Sequence, residues 1–182
     1  MNRDKLRKEF ETLYGSESDA IFRFCLIRVS DREQALDITQ ETFTRLWRTL
    51  LEGKEMTNAR SFLFTVAHRL IIDWYRKKKA VSLESLSSSS ADGEENYDYE
   101  PVEESAKIDL ELETEGRYLL SAISRLRFSY RQPIYLKYVE GLSPPDIGKI
   151  MGISANAVSV RINRGLEDLR RLTGYSIEDQ EK

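Results

Sequence analysis

The chain has 182 residues, a formal net charge of −3, one Cys and one His, which bounds it to one ordinary domain or two small ones with modest cores. Cys25 and His68 alone cannot build a disulfide framework or a zinc site, so a reducing, cytoplasmic setting is expected. No apolar run reaches the roughly 20 residues of a membrane span, and the opening MNRDKLRKEF lacks the apolar core of a signal peptide, so neither membrane insertion nor export is expected.

Helical periodicity begins at the N-terminus. Asp4 to Tyr14 and Ser18 to Val29 read as two short amphipathic helices parted by Gly15, the second with Ile21, Cys25 and Val29 on one face. Asp31 suits the N-cap of a long helix running to about Leu50, with Ala35, Ile38, Thr42, Leu46 and Leu50 as its buried stripe. A second stripe on that helix, Asp37, Gln40, Glu41, Thr44 and Arg48, fits a solvated face or a docking surface. Asn58 caps the next helix, expected to end near Lys79. Phe62, Leu63, Val66, Leu70, Ile71 and Trp74 give it a broad apolar face, and Thr65, His68, Arg69, Asp73 and Arg76 recur on its polar side. Arg69 lies four residues before Asp73, which suits an intrahelical ion pair. The helix ends in IIDWYRKKK, two aromatics beside four cations. Cations complement a helix C-terminus, but the adjoining Trp74 and Tyr75 suit stacking on unpaired bases.

Charge then divides the chain. Residues 1–80 hold 16 basic against 12 acidic side chains, residues 81–115 hold one against 12, and residues 116–182 hold 11 against 7. The middle stretch, beginning SLESLSSSSADGEENYDYEPVEES, has too few aliphatic side chains to offset an ordering cost of about 1–2 kcal/mol per residue. It reads as an acidic, Ser-rich flexible linker over 81–110 between domains at 1–80 and 111–182, able to shield the basic ends by unscreened attraction.

Beyond it, helices are expected from Val102 to Leu126 and from Gln132 to Val139, with Gly141 as a stop. Ser143 caps the following helix, Pro144 and Pro145 fit its first turn, and Asp146 completes a capping-box-like pattern. Gly152 makes a tight turn, and Ser154 caps a last helix with Val158, Ile162, Leu166 and Leu169 inward. Paired caps across a short Gly turn are the punctuation of a helix-turn-helix, whose second helix reads base edges. Ser154, Asn156, Ser159, Val160, Arg161, Asn163 and Arg164 are the candidates for the major groove.

Three segments together carry a family resemblance. DREQALDITQETFTRLWR at residues 31–48 resembles the conserved-region-two helix of bacterial sigma factors of the extracytoplasmic-function (ECF) group. SFLFTVAHRLIIDWYRKKK resembles the adjoining promoter-melting helix, and the C-terminal segment resembles conserved region four. The resemblance implies an all-α fold of two small domains, a region-two bundle and a region-four helix-turn-helix. It implies a transcription initiation subunit that binds core RNA polymerase through its clamp helices and flap and directs it to promoter DNA, with no catalytic residue, cofactor, metal or small-molecule substrate, and with an anti-sigma factor as a partner. In the family, Asp37, Gln40, Glu41, Phe43, Thr44, Trp47 and Arg48 fall on the polymerase-binding helix. His68, Arg69, Trp74, Tyr75, Arg76, Lys77, Lys78 and Lys79 fall where the −10-type element is bound and melted, and the seven residues of the last helix fall where the −35-type element is read. The chain departs from the family pattern at Arg69, where Asn is usual, and at Ser159 and Val160, where a cation and a small polar residue are usual; a valine suits contact with a thymine methyl. A stand-alone helix-turn-helix regulator would explain the C-terminus but leaves the N-terminal polar stripe without a purpose. A helical enzyme would need a Cys–His pair, a Gly-rich phosphate loop or clustered metal ligands, and the sequence has none of these.

Overall fold

The computed structural model describes residues 3–54, 56, 58–85 and 114–173, with side chains left aside for 79–85 and 114–117. Seven helices are present among the described residues: α1 Arg3–Val29, α2 Arg32–Leu51, α3 Ala59–Ser85, α4 Thr114–Ser124, α5 Phe128–Tyr138, α6 Pro144–Met151 and α7 Ala155–Thr173. The fold expectation of an all-α chain holds. Residues 86–113 of the acidic segment, and the start expected at Val102 for the following helix, lie outside the described residues.

In the first unit, α1 to α3 pack around Phe24, Ile27, Leu46, Leu63, Phe64 and Ile71, all fully buried. The two short helices expected at the N-terminus are one, since α1 runs unbroken through Gly15. A helical glycine costs about 1 kcal/mol relative to Ala, and the partly buried Phe10 and Leu13 on one side and the buried Ile21 on the other anchor both halves of the helix to the same core. The break comes at Ser30, in the left-handed region with φ 55°, where its amide donates to the Leu26 carbonyl at 2.9 Å. Asp31 then caps α2, its Oδ1 accepting from the Gln34 amide at 3.0 Å, and the stripe from Ala35 to Leu50 is buried as the 3.6-residue period requires. Asn58 caps α3 in the same way, accepting from the Ser61 amide at 2.9 Å. That helix continues past Lys79 to Ser85.

The second unit joins α4 to α7. Here α5 begins at Phe128, earlier than the Gln132 start that would have placed Pro133 in the first turn. Phe128, Tyr130, Ile134, Tyr135 and Leu136 are buried along it, and that burial holds the helix across the proline. Ser143 caps α6, accepting from the Asp146 amide at 3.4 Å, and its hydroxyl donates to Asp146 Oδ2 at 2.6 Å. That hydroxyl, followed by Lys149, holds the Asp146 carboxyl below its usual range. Gly152 closes α6 with φ 69°, and Ser154 accepts from the Ala157 amide at 3.1 Å to open α7.

Gly148 governs the turn between these two helices. A Cβ added there would lie 2.6 Å from the Ile153 carbonyl oxygen, part of a backbone that cannot swing aside. Gly148→Ala is therefore expected to destabilise the C-terminal unit by about 1–3 kcal/mol, read as a lower urea midpoint at unchanged slope. Gly15→Ala is the control: its Cβ meets nothing within 4 Å, so the substitution should leave the fold intact.

The two units are seated directly on one another, α5 against α1 and α6 against α3. Phe24 of α1 lies edge-on to Phe64 at 5.2 Å and 6.1 Å from Tyr135 of α5, so a single apolar cluster runs through both.

Candidate nucleic-acid and polymerase interfaces

On α7, helical spacing brings Asn156, Val160, Asn163 and Arg164 to one outward face, all exposed. Ser154 is exposed but occupied as the cap. Two of the expected base readers are placed otherwise. The Ser159 hydroxyl donates to the Ala155 carbonyl at 3.0 Å, the ordinary fate of a mid-helix serine. Arg161 is half-buried, and its charge acts on His68. Gly165 lets α7 approach α5, since a Cβ there would sit 3.0 Å from the Tyr130 Cβ. An outward asparagine can pair bidentately with adenine, an arginine with guanine, and Val160 offers a methyl contact to thymine.

On α3, the eight residues expected to meet the −10-type element divide by face. Arg69, Arg76, Lys77 and Lys78 are exposed. Asp73 is bound by Arg76 at 2.7 Å, three residues on, instead of by Arg69, which leaves Arg69 directed outward. Trp74 is half-buried against the core, with Lys78 Nζ 5.0 Å from its ring, an arrangement that holds a cation beside an aromatic. The side chain of Lys79 lies outside the described residues.

His68 and Tyr75, expected at the −10-type element, are both buried in this arrangement. His68 is 6% exposed, and its Nδ1 donates to Gln132 Oε1 of α5 at 3.0 Å. Burial, followed by the positive charge of Arg28, pushes its pKa down to about 4, so the imidazole is neutral at ordinary pH. Tyr75 is 9% exposed; its hydroxyl donates to the Arg28 carbonyl at 2.7 Å, and its ring meets Phe128 of α5 at 4.8 Å and 85°. The polar side expected for α3 at His68 is thus a contact face, a distinction that periodicity within one helix does not carry.

On α2, Asp37, Gln40, Thr44 and Arg48 are exposed in one row. Glu41 is half-buried and paired with Arg45 at 2.9 Å. Phe43 is buried, its ring 4.8 Å from that of Tyr14 and 6.3 Å from that of Phe10, and so anchors α2 to α1. Trp47 is half-buried, edge-on to Phe10 at 5.3 Å. Two residues missed in the sequence border the row. Leu36 is exposed beside Asp37, and Tyr14 of α1 is exposed beyond Phe43. The only signal for either was an apolar side chain out of register with the buried stripe.

Cys25 is fully buried, and burial pushes its thiol up to about 12, which makes it inert. Among the described residues no group of three His, Cys, Asp or Glu side chains could hold a metal ion, and no helix is long and apolar enough to cross a membrane.

Comparison with known proteins matches both helical units to one family. Residues 13–81 match Sigma-70 region 2 and residues 116–178 match Sigma-70 region 4. The chain is 31% identical over 166 residues to the ECF RNA polymerase sigma factor SigW of Bacillus subtilis (strain 168), covering 89% of this chain and 87% of the relative. It is 25% identical over 176 residues to the RNA polymerase sigma factor YlaC of the same organism, covering 97% of this chain and 98% of the relative. In fold it resembles the sigma factor RpoE solved in complex with the anti-sigma factor NepR from Bartonella quintana, with a TM-score of 0.69 at 22% identity, covering 93% of this chain and 99% of that one. Region 2 with the exposed α2 row and region 4 with its outward α7 face, in one chain and in this order, place the protein in a known family: it belongs to the ECF RNA polymerase sigma factors.

Proposed function

We propose that this chain, as the promoter-specifying subunit of RNA polymerase, divides its work among the three faces described above. The outward face of α7, with Asn156, Val160, Asn163 and Arg164, reads a −35-type duplex element. Arg69, Arg76, Lys77 and Lys78 with Trp74 hold the −10-type element through phosphate contacts and stacking, which together offset the few kcal/mol of each unstacked step. The α2 row from Asp37 to Arg48, bordered by Leu36 and Tyr14, docks on the clamp helices of core polymerase, and the C-terminal unit engages the flap. The sigma factor RpoE of similar fold was solved in complex with the anti-sigma factor NepR, and an anti-sigma factor is the partner proposed to silence this chain too.

The observation that carries the reading is the exposed acidic and polar row on α2, which a stand-alone helix-turn-helix regulator has no use for. Purified chain plus sigma-free bacterial core polymerase is expected to yield start-site-selective RNA from a genomic template. Reversing Asp37 and Glu41 to Lys should lower polymerase affinity at least ten-fold in a pull-down titration while the helical circular dichroism stays unchanged. Unaltered affinity of the doubly reversed chain would exclude α2 as the docking face.

A further inference from the structure

The outward face of α7 continues past its base readers. Arg171 lies seven residues beyond Arg164, two helical turns on and so on the same side of the helix, about 10 Å farther along the axis. There the last turn of α7 meets the turn between α4 and α5. Arg125, Leu126, Arg127, Asp168, Arg171 and Leu172 line an open cavity of about 250 Å³ between them, three cations against one carboxylate. Asp168 is set back beneath the arginines: its side chain is 18% exposed, against 68% for Arg127 and 76% for Arg171. Its Oδ2 is 3.9 Å from Arg127 Nε and its Oδ1 accepts from Arg171. The one acid therefore holds two guanidiniums side by side while most of their N–H groups stay open to solvent. Arg125 is exposed, and its side chain has no partner among the described residues.

Helix electrostatics explain only part of this cluster. Arg171 lies in the last turn of α7 and Arg125 just past the end of α4, where cations complement a helix C-terminus. Arg127 has no such reason to be there. It stands at the N-cap of α5, where a cation opposes the dipole, and it makes no side-chain capping hydrogen bond. An anion in the cavity reverses the sign of that contribution, because the start of α5 and all three arginines then attract the same charge.

We propose that Arg125, Arg127 and Arg171 grip the phosphate backbone of the duplex flanking the −35-type element, so that the N-terminal turns of α7 read while its C-terminal end holds. The proposal rests on the assignment of the outward α7 face to that element. Place and charge select the occupant. The cluster shares its side of the helix with the readers, and a duplex seated on them carries a continuous row of phosphates, one charge per about 1.7 Å of axis. Arginine's planar fork takes a phosphate through two N–H groups at once. Such contacts carry no sequence information and fix the register in which the readers meet the bases.

The full-length chain joined to sigma-free bacterial core polymerase tests this, on the genomic fragment that yields the most start-site-selective RNA. With all three arginines changed to Gln, the assembled enzyme is expected to bind that fragment at least ten-fold more weakly at about 50 mM KCl and to keep the wild-type start sites. The slope of log affinity against log salt should become shallower by about 2.7, since each phosphate contact contributes about 0.9. Arg125→Gln alone breaks no ion pair among the described residues, so it tests the cluster without disturbing the fold; its slope should fall by about 0.9. Changing all three to Lys should retain the wild-type slope, because counterion release counts charges. A wild-type slope in the triple Gln variant would overturn the grip, and so would an altered set of start sites, which would make these arginines base readers. Weaker binding to core polymerase in a pull-down, with the salt slope on DNA unchanged, would also overturn it and assign the cluster to a protein contact. Selective RNA from wild type alongside any of these results leaves the family reading standing. Start-site choice unaltered by Asn163→Ala with Arg164→Ala would instead remove the reading of α7 on which the grip depends.

Discussion

Phe24→Ala is expected to lower the unfolding free energy by about 3–5 kcal/mol, the range for deleting a fully buried phenyl ring. Phe24 is fully buried, stands edge-on to Phe64 at 87°, and reaches Tyr135 of the other unit. The loss therefore combines the cavity with two aromatic pairings, each worth about 0.5–1.5 kcal/mol beyond area burial. Relaxation cannot refill the space cheaply, because the neighbouring Ile21, Ile27 and Leu63 are themselves fully buried. Chemical denaturation followed by far-ultraviolet circular dichroism measures the effect. Since the ring touches both units, a single wild-type transition should split or broaden in the variant as the C-terminal unit loses its seat. A variant transition as sharp as wild type and shifted by under about 1 kcal/mol would show that the ring is not the shared support its position implies.

Local chemistry made much of this fold legible. Asp31, Asn58, Ser143 and Ser154 cap the helices they were expected to cap, and Gly152 takes the left-handed turn between α6 and α7. Each of those signals acts over three or four residues, so the sequence contains both partners. The α2 stripe was legible for the same reason, as one face of one helix. Gly15 and Pro133 misled because their local preference was overridden by apolar residues whose partners lie far along the chain.

The site was less legible than the fold, and the failures share a cause. His68 looked polar and exposed because it recurs with Thr65, Arg69 and Asp73, yet its partner Gln132 is 64 residues away. Tyr75 reads equally well as a stacking platform or as a core residue until Phe128 is placed against it. Phe43 sits within the polar row of α2 by spacing, but Phe10 and Tyr14 of α1 claim it. A helical wheel fixes which residues share a side; what covers that side is a property of tertiary packing. The outward residues of α7 were legible because no long-range partner competes for them among the described residues.

Acidification is expected to loosen the seam where the two units are seated on one another, through His68 itself. In the seam its imidazole is held neutral, with a pKa pushed down to about 4 by burial and then by Arg28 of α1; Arg161 of α7 acts in the same direction, while Gln132 of α5 and the Met151 backbone of α6 oppose it. In an opened or unfolded chain it returns to about 6.5. Above that value the ring is neutral in both states, and closure has its full strength. As pH falls below it, the open state takes up a proton that the closed state refuses, so closure weakens by about 1.4 kcal/mol for each pH unit until about pH 4. The loss should reach about 2 kcal/mol between about pH 7 and pH 5, a window that lies mostly above carboxylate titration. Urea titrations across that window measure it, and His68→Gln, which keeps a polar amide in place of the ring but cannot be protonated, should flatten the dependence. Wild type and His68→Gln falling in parallel would show that the proton is taken up elsewhere and that the imidazole is not held neutral by the seam.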